Sequence, residues 1–145
     1  MFSPGPALRM FLGVEMYMDG SFYPDRPGRP AYAAFVAVQD GQVIRRWSNK
    51  VIARNPTEAE FWAVIKALEW ACHNGCCCVD VHSDCRALLE ALKLRRRWSE
   101  RFVARIMELA APLDSVNFQQ VSRKEVREAD WMCRVRARAD EEAGP

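Results

Sequence analysis

The sequence lacks a hydrophobic run long enough for a signal peptide or a membrane span. Its first ten residues contain Pro4, Gly5 and Pro6 where a signal peptide needs an apolar stretch. No later segment approaches the roughly 20 apolar residues of a membrane helix. Internal repeats and low-complexity segments are also absent from the sequence. We therefore expect a cytoplasmic protein with no membrane partner.

The composition is that of a folded globular domain. Half of the 145 residues are hydrophobic and 28% are charged. This length is enough for one hydrophobic core and too short for two domains of common size. The net charge of +2 indicates no partner by itself, but bases are concentrated in two local clusters, one of Arg95, Arg96 and Arg97 and one near Arg134, Arg136 and Arg138. Such a cluster suits a polyanion or is simply a solvated helix end.

Four of the six cysteines fall close together, with two histidines nearby, and this invites a zinc-site interpretation. These residues are Cys72, Cys76, Cys77 and Cys78, with His73 and His82. Neighbouring side chains of a strand face opposite ways, so three consecutive cysteines cannot all bind one tetrahedral ion. Cytoplasmic thiols usually stay reduced. We therefore interpret the cysteines mainly as small buried hydrophobic residues, with structural zinc or a disulfide as alternatives.

Hydrophobic periodicity predicts an α/β fold with the element order β-β-β-α-β-α-α-β-α. The predicted strands cover Val14–Asp19, Tyr32–Gln39, Gln42–Lys50, Val79–Ser83 and Val116–Val121. The predicted helices run from Pro56 to before Gly75, over Arg86–Leu92, over Phe102–Ala110 and over Glu128–Ala139. The Asp40-Gly41 pair predicts a tight hairpin, so the first three strands are expected to be antiparallel. The later strand–helix–strand succession predicts parallel pairing.

The first predicted helix begins with a clear set of start signals. Asn55 suits the N-cap, Pro56 the first helical position and Glu58 the role of a solvent-facing cap partner. Glu60 is expected in the first turn, where the apolar stripe of this helix starts.

Four carboxylates occupy the positions expected of a metal site. Asp19 and Asp84 are predicted at the carboxyl ends of strands, and Glu60 and Asp130 in first turns of helices. Each has a structural explanation alone, since Asp84 could cap a helix and Asp130 could offset a helix dipole. As a set, oxygen ligands from several elements are what Mg²⁺ requires. Asp19 also has no Lys or Arg close in sequence, so a metal ion would compensate its buried charge.

The succession of motifs resembles type 1 ribonuclease H, especially its compact archaeal and bacterial form. Asp19-Gly20-Ser21 is similar to the opening D-G-(G/A/S) motif of that family, and Ala59-Glu60-Phe61 to its A-E-(Y/L) helix. His82-Ser83-Asp84-Cys85 resembles x-(S/T)-D-S, and Val121-x-Arg123 followed by Ala129-Asp130 resembles the last motif. The resemblance implies a ribonuclease H domain over residues 12–139, with tails at 1–11 and 140–145. It also implies a five-stranded mixed sheet with helices on both faces.

The resemblance implies an endoribonuclease that cuts the RNA strand of RNA/DNA hybrids and leaves 3′-hydroxyl and 5′-phosphate ends. Asp19, Glu60, Asp84 and Asp130 match the metal-binding, catalytic carboxylates of the family, which uses two Mg²⁺ or Mn²⁺ ions. Candidate substrate-binding residues are Ser21, Asn55, Thr57, Cys85, Arg95, Arg96, Arg97 and Arg123. The start at Met1 and the small size favour an independent enzyme over a domain of a larger polymerase or retroelement protein. We also expect a monomer.

Two positions of the last motif depart from the family and keep other functions open. Val126 replaces an Asn, and Lys124 replaces an acidic residue. The glycine-rich turn after the first motif is replaced by a proline-rich loop that keeps Gly28. A nucleic-acid-binding module with weakened catalysis is therefore one alternative. A metal-dependent nuclease acting on another duplex is the other.

Overall fold

The computed structural model describes residues 11–94 and 97–144, which fold in the predicted order of elements. The strands are β1 (Gly13–Phe22), β2 (Ala31–Gln39), β3 (Gln42–Val51), β4 (Cys78–Ser83) and β5 (Ser115–Gln120). The α-helices of this described part are α1 (Pro56–His73), α2 (Arg86–Leu94), α3 (Glu100–Ala110) and α4 (Arg127–Ala143). A short 3-10 helix, Arg97–Ser99, precedes α3, and another, Arg123–Val126, precedes α4.

The strands form one mixed sheet in the order β3-β2-β1-β4-β5. β1 pairs antiparallel with β2 and β2 with β3, whereas β1–β4 and β4–β5 are parallel. Asp40 and Gly41 form the β2–β3 turn with positive φ angles of 51° and 76°, the conformation that a two-residue hairpin favours. The predicted five-stranded mixed sheet of an α/β fold is confirmed.

Helices cover both faces of the sheet, as predicted, and alternate residues of β2 pack against the two helical layers. Its alternate residues Ala33, Phe35 and Ala37 belong to the core formed with α1, α2 and α3. The intervening residues Tyr32, Ala34 and Val36 pack with Ala129, Met132, Cys133 and Ala137 of α4. Because successive strand side chains face opposite ways, a strand buried on both faces reads as a continuous apolar run.

β1 is longer than predicted, and this changes the position of Asp19. The strand continues through Gly20 and Ser21 to Phe22, which still pairs with Ala31 of β2. The parallel pairing with β4 ends earlier, at Tyr17 and His82. Asp19 therefore lies inside β1, just beyond the last β1–β4 pair. The prediction that it ends the strand was wrong because the antiparallel neighbour β2 keeps the backbone extended.

The start of α1 follows the predicted signals, with two corrections. Asn55 Oδ1 accepts a hydrogen bond from Glu58 N at 2.9 Å, as an N-cap should. Glu58 does not face solvent: it is 1% exposed and receives bonds from the Arg54 backbone N at 2.9 Å and guanidinium at 2.8 Å. Glu60 is the fifth helical residue, so it lies in the second turn and not the first.

α4 starts one residue before the predicted Glu128 and runs past the predicted end at Ala139. A reciprocal capping box between Ser122 and Glu125 fixes the preceding 3-10 helix. No glycine or proline interrupts the helix until Gly144, where φ is +74°. α4 therefore continues to Ala143 because nothing before Gly144 breaks it.

All six cysteines are free thiols, but they do not share one environment. Cys76, Cys77 and Cys133 are buried, Cys72 and Cys85 are half-buried, and Cys78 is exposed. The burial interpretation therefore holds for three of them, and Cys78 is a clear exception. Among the described helices, none combines the length and the apolar character needed to cross a membrane.

Candidate active site

The parallel pairing of β1 and β4 brings the first two candidate carboxylates side by side. Tyr17 is opposite His82, so two further steps along each strand lead to Asp19 and Asp84. Asp84 directly follows β4, at the carboxyl end of that strand. Asp19 is 8% exposed. The strand register thus explains how residues 65 positions apart come into contact.

Glu60 reaches the same place because α1 packs directly on Gly20. A Cβ atom on Gly20 would lie 2.5 Å from the backbone C of Ala59 and 2.5 Å from the backbone N of Glu60. No side chain fits in that space, so this position requires glycine for close approach. The contact lets Gly20 N donate to Glu60 Oε1 at 2.9 Å. Ser83 Oγ lies 3.5 Å from Glu60 Oε2 on the other side.

Asp19, Glu60 and Asp84 form a compact oxygen cluster, which we call the acidic cluster. One carboxylate oxygen from each residue lies within 4.8 Å of those of the other two. Glu60 is 5% exposed and Asp84 is half-buried. Several carboxylates at this spacing match the hard oxygen donors that Mg²⁺ and Mn²⁺ prefer. The acidic cluster therefore fits a divalent cation.

Asp130 lies next to the acidic cluster without belonging to its tightest group. Its carboxyl group is within hydrogen-bonding reach of the Asp19 carboxyl. Asp130 Oδ2 also accepts from the Arg134 guanidinium at 3.0 Å, one turn along α4. Cys133 packs against the same strand, with its Sγ 3.6 Å from the Asp19 carbonyl oxygen. The structure thus brings all four predicted carboxylates to one edge of the sheet.

Burial and mutual repulsion hold protons on this site. Burial raises the pKa of Asp19 from 3.8 to about 7, and the nearby Asp130 and Asp84 carboxylates add to the increase. Burial, and then Asp19, raise the pKa of Glu60 well above its usual value. Within the described chain, none of Asp19, Glu60 and Asp84 forms an ion pair with Lys or Arg. A bound divalent cation would supply the missing positive charge.

The predicted substrate-binding residues fall in three different settings. Ser21 and Arg123 line a pocket that also includes Asp130. Asn55 caps α1, Thr57 is half-buried beside it, and Cys85 N donates to Ser83 Oγ at 3.0 Å behind the acidic cluster. Arg97 is exposed in the short 3-10 helix before α3. Arg95 and Arg96 lie outside the described residues.

The sequence analysis did not place three arginines beside the acidic cluster, although it marked Arg134 and Arg138 as part of a basic region that suits a polyanion. Arg134 could have been found, because an Arg four residues after Asp130 on a helix is a typical ion-pair spacing. The positions of Arg26 and Arg138 beside Asp130 could not be found from the sequence, since they come together only when the proline-rich loop packs against α4. Their side chains line the same pocket as Ser21 and Arg123.

Comparisons with known proteins agree with this architecture. Residues 18–135 match the protein family described as reverse transcriptase-like. No curated protein shows significant similarity to the sequence. Among solved structures, RNase H1 of the halophilic archaeon Halobacterium salinarum NRC-1 is similar at 23% identity and a TM-score of 0.78. That match covers 88% of this chain and 98% of the other.

Two further structures show the same likeness. The N-terminal RNase H domain of a Mycobacterium tuberculosis protein, solved as a fusion with maltose binding protein, is 18% identical with a TM-score of 0.79. It covers 92% of this chain and 99% of its own. LC11-RNase H1, solved in complex with an RNA/DNA hybrid, is 18% identical with a TM-score of 0.76, covering 87% and 98%. The predicted ribonuclease H-like fold is confirmed, and the chain belongs to the reverse transcriptase-like family.

Proposed function

We propose that this protein is an endoribonuclease that hydrolyses the RNA strand of RNA/DNA hybrids with the help of Mg²⁺ or Mn²⁺. The observation that carries this proposal is the acidic cluster, whose three carboxylates lie within 4.8 Å of one another on a ribonuclease H-like fold. The similar LC11-RNase H1 was solved with an RNA/DNA hybrid, which supports the same substrate class here.

The four carboxylates are oxygen ligands of the kind that two divalent ions would need. Asp19 would contact both ions, Glu60 and Asp84 would hold the one near the leaving oxygen, and Asp130 would hold the other. Two bound ions supply Lewis-acid stabilisation to the attacking and leaving oxygens of a phosphodiester. The expected products carry 3′-hydroxyl and 5′-phosphate ends.

The protein's own contribution is to hold these ligands in place before substrate arrives. The Gly20 N–H fixes one Glu60 oxygen, and Ser83 lies beside the other while accepting from Cys85 N. Arg134 orients Asp130 from one helical turn away. Such fixed ligands cost little reorganisation during the reaction, which is how a site without a protein nucleophile gains rate.

A labelled RNA/DNA hybrid incubated with the protein and Mg²⁺ or Mn²⁺ tests the proposal. We expect metal-dependent cuts in the RNA strand only. Cleavage should be about 100-fold slower after Asp84→Asn, because losing a metal ligand should cost no less than losing the outer partner of a ligand, which costs about 10- to 100-fold. Asp80→Asn is the matched control, because Asp80 lies on the same strand and is hydrogen bonded to Asn117 away from the acidic cluster. Uncut RNA with either metal, or equal cleavage by the Asp84→Asn variant, contradicts the proposal.

Val126 favours a second candidate, a nucleic-acid-binding module that has lost turnover. Its side chain is apolar and 1% exposed. This position therefore offers no polar group, where the ribonuclease H motif has an Asn. This candidate predicts salt-sensitive hybrid binding without products at any metal concentration. Comparing RNA/DNA, RNA/RNA and DNA/DNA duplexes in the same assay separates both candidates from a nuclease with another duplex substrate.

We also propose that the protein acts as a cytoplasmic monomer. Light scattering coupled to size-exclusion chromatography, with and without a bound hybrid, tests the oligomeric state directly.

A further inference from the structure

An open pocket of about 540 Å³ lies beside the acidic cluster, and we call it the arginine pocket. Arg26, Arg123, Arg134 and Arg138 line it together with Asp130 and Glu141. Asp130 is also the carboxylate that contacts Asp19. The arginine pocket therefore opens directly next to the site at which we propose that the RNA strand is cut.

The arginine pocket has an excess of positive charge. Arg134 pairs with Asp130 at 3.0 Å, and Arg26 pairs with Glu141 at 3.3 Å. Arg123 and Arg138 form no ion pair with the part of the chain that the structure describes, and both are exposed. Two guanidinium groups are thus left to meet an anion from solution. Each presents a planar fork of donors that matches two phosphate oxygens.

Arg26 is held in place by its loop and by Tyr23. The Arg26 guanidinium lies 4.0 Å from the centre of the Tyr23 ring. Its loop is closed by hydrogen bonds from Tyr23 N to the Pro30 oxygen and from Arg29 N to the Arg26 oxygen, each 2.9 Å. Gly28, with φ at +78°, makes that turn possible. A cation that is already positioned, as Arg26 is, loses less entropy when a ligand binds.

We propose that the arginine pocket binds backbone phosphates of the nucleic-acid strand that continues past Asp130, away from the acidic cluster. This inference rests on the proposed function and adds a path for the substrate, from the acidic cluster toward the loop between β1 and β2. Phosphate contacts of this kind set affinity and register without reading base sequence.

Binding of a fluorescent RNA/DNA hybrid in EDTA, measured by anisotropy over a range of salt, tests the arginine pocket without cleavage. We expect Arg138→Ala and Arg123→Ala to raise Kd roughly five- to tenfold at about 0.1 M salt, and to lower the salt slope by about 0.9 per lost phosphate contact. Arg138→Lys should recover most of the affinity. Melting curves check that each variant is folded.

Arg45→Ala is the matched control, because Arg45 is an exposed arginine of β3 that does not line the arginine pocket. Arg45→Ala should change Kd by less than about twofold, because salt screens a single charge that lies far from the arginine pocket. Equal Kd values and salt slopes for Arg138→Ala and Arg45→Ala overturn the inference. Loss of affinity for an acidic peptide, with hybrid affinity unchanged, overturns it in favour of a protein partner.

Hybrids shortened from one end or the other locate the contact. The Arg138→Ala defect should vanish when the strand is truncated on one side of the cleavage position and persist when it is truncated on the other. A defect independent of truncation overturns the proposed path. Wild-type protein that binds hybrids through these arginines but cuts nothing would remove the proposed activity and leave the arginine pocket standing.

Discussion

At the residue scale, the buried Asp19 carboxylate lowers the stability of the metal-free protein and would serve as a metal ligand. Its carboxyl group is buried between two other carboxylates, so ionisation is unfavourable until a cation binds. Repulsion among these carboxylates destabilises the metal-free protein, so a purely structural role does not explain their presence. This residue gives the most direct link between pH, stability and metal binding.

Replacing Asp19 with Asn should stabilise the metal-free protein at alkaline pH. The folded-state pKa of about 7 lies above the unfolded value near 3.8, so the folded state binds more protons between these values. Stability is therefore greatest below about pH 4 for this group and falls as pH rises toward 7. Asp19→Asn should remove that loss, a gain of roughly 1–4 kcal/mol at pH 8 in EDTA. Urea unfolding at pH 5 and pH 8 measures it.

The Asp19→Asn gain should be smaller at pH 5, where the folded wild-type carboxyl is protonated while the unfolded one is largely ionised, and it should approach zero only below about pH 4. The same substitution should abolish cleavage. A variant that is equally stabilised at both pH values would show that charge repulsion is not the cause.

Replacing Gly20 with Ala should damage both stability and the site. The added Cβ would lie 2.5 Å from the α1 backbone, so helix and strand must separate. We expect a loss of roughly 1–3 kcal/mol in the free energy of unfolding, as in overpacked cores. Gly13→Ala is the control, since a Cβ there meets nothing within 4 Å. Denaturant unfolding of both variants measures the difference, and equal stabilities would contradict the close packing described here.

At the element scale, α1 is the helix that positions Glu60, and its start is set by a few polar contacts. Asn55 caps it, Pro56 occupies its first turn, and Glu58 is locked to Arg54. Burial alone would raise the pKa of Glu58, but the hydrogen bonds and charge of Arg54 bring it below its usual value. The buried acid is therefore part of the helix start and distinct from the acidic cluster.

Removing the cap should loosen this helix start. Asn55→Ala deletes the acceptor for Glu58 N and should cost about 1 kcal/mol of stability. Asn55→Asp keeps an acceptor there and should be close to wild type. Thermal unfolding compares the two. Hybrid affinity of Asn55→Asp then reports whether Asn55 also contacts substrate, because capping is retained in that variant.

At the scale of the whole molecule, ions that bind only the folded state should stabilise it. Mg²⁺ or Mn²⁺ should raise Tm, and the increase should be larger at pH 8 than at pH 6, because binding must displace the proton held by Asp19 and Glu60. Differential scanning calorimetry at both pH values measures this. Asp80→Asn should respond like wild type and Asp84→Asn should not; an identical response of all three would exclude metal binding at the acidic cluster.

The sequence by itself determined the order of elements, the mixed sheet and the identity of the clustered acids. These features are local in origin: periodicity marks each element, Asp40-Gly41 specifies the hairpin, and Asn55-Pro56 starts α1. Ordered motifs then pointed to the ribonuclease H-like fold, which the structure has. Element boundaries were also close, except where β1 and α4 continue beyond their predicted ends.

Only the tertiary structure decided what depends on neighbours distant in the chain. Asp19 is inside β1 because β2 pairs beyond it, and Glu58 is buried because α1 packs against the core. The arginine pocket exists because a loop, a short helix and α4 converge, which no local pattern encodes. Sequence periodicity reports the environment of a residue on its own element, whereas charge clusters arise from the packing of separate elements against each other.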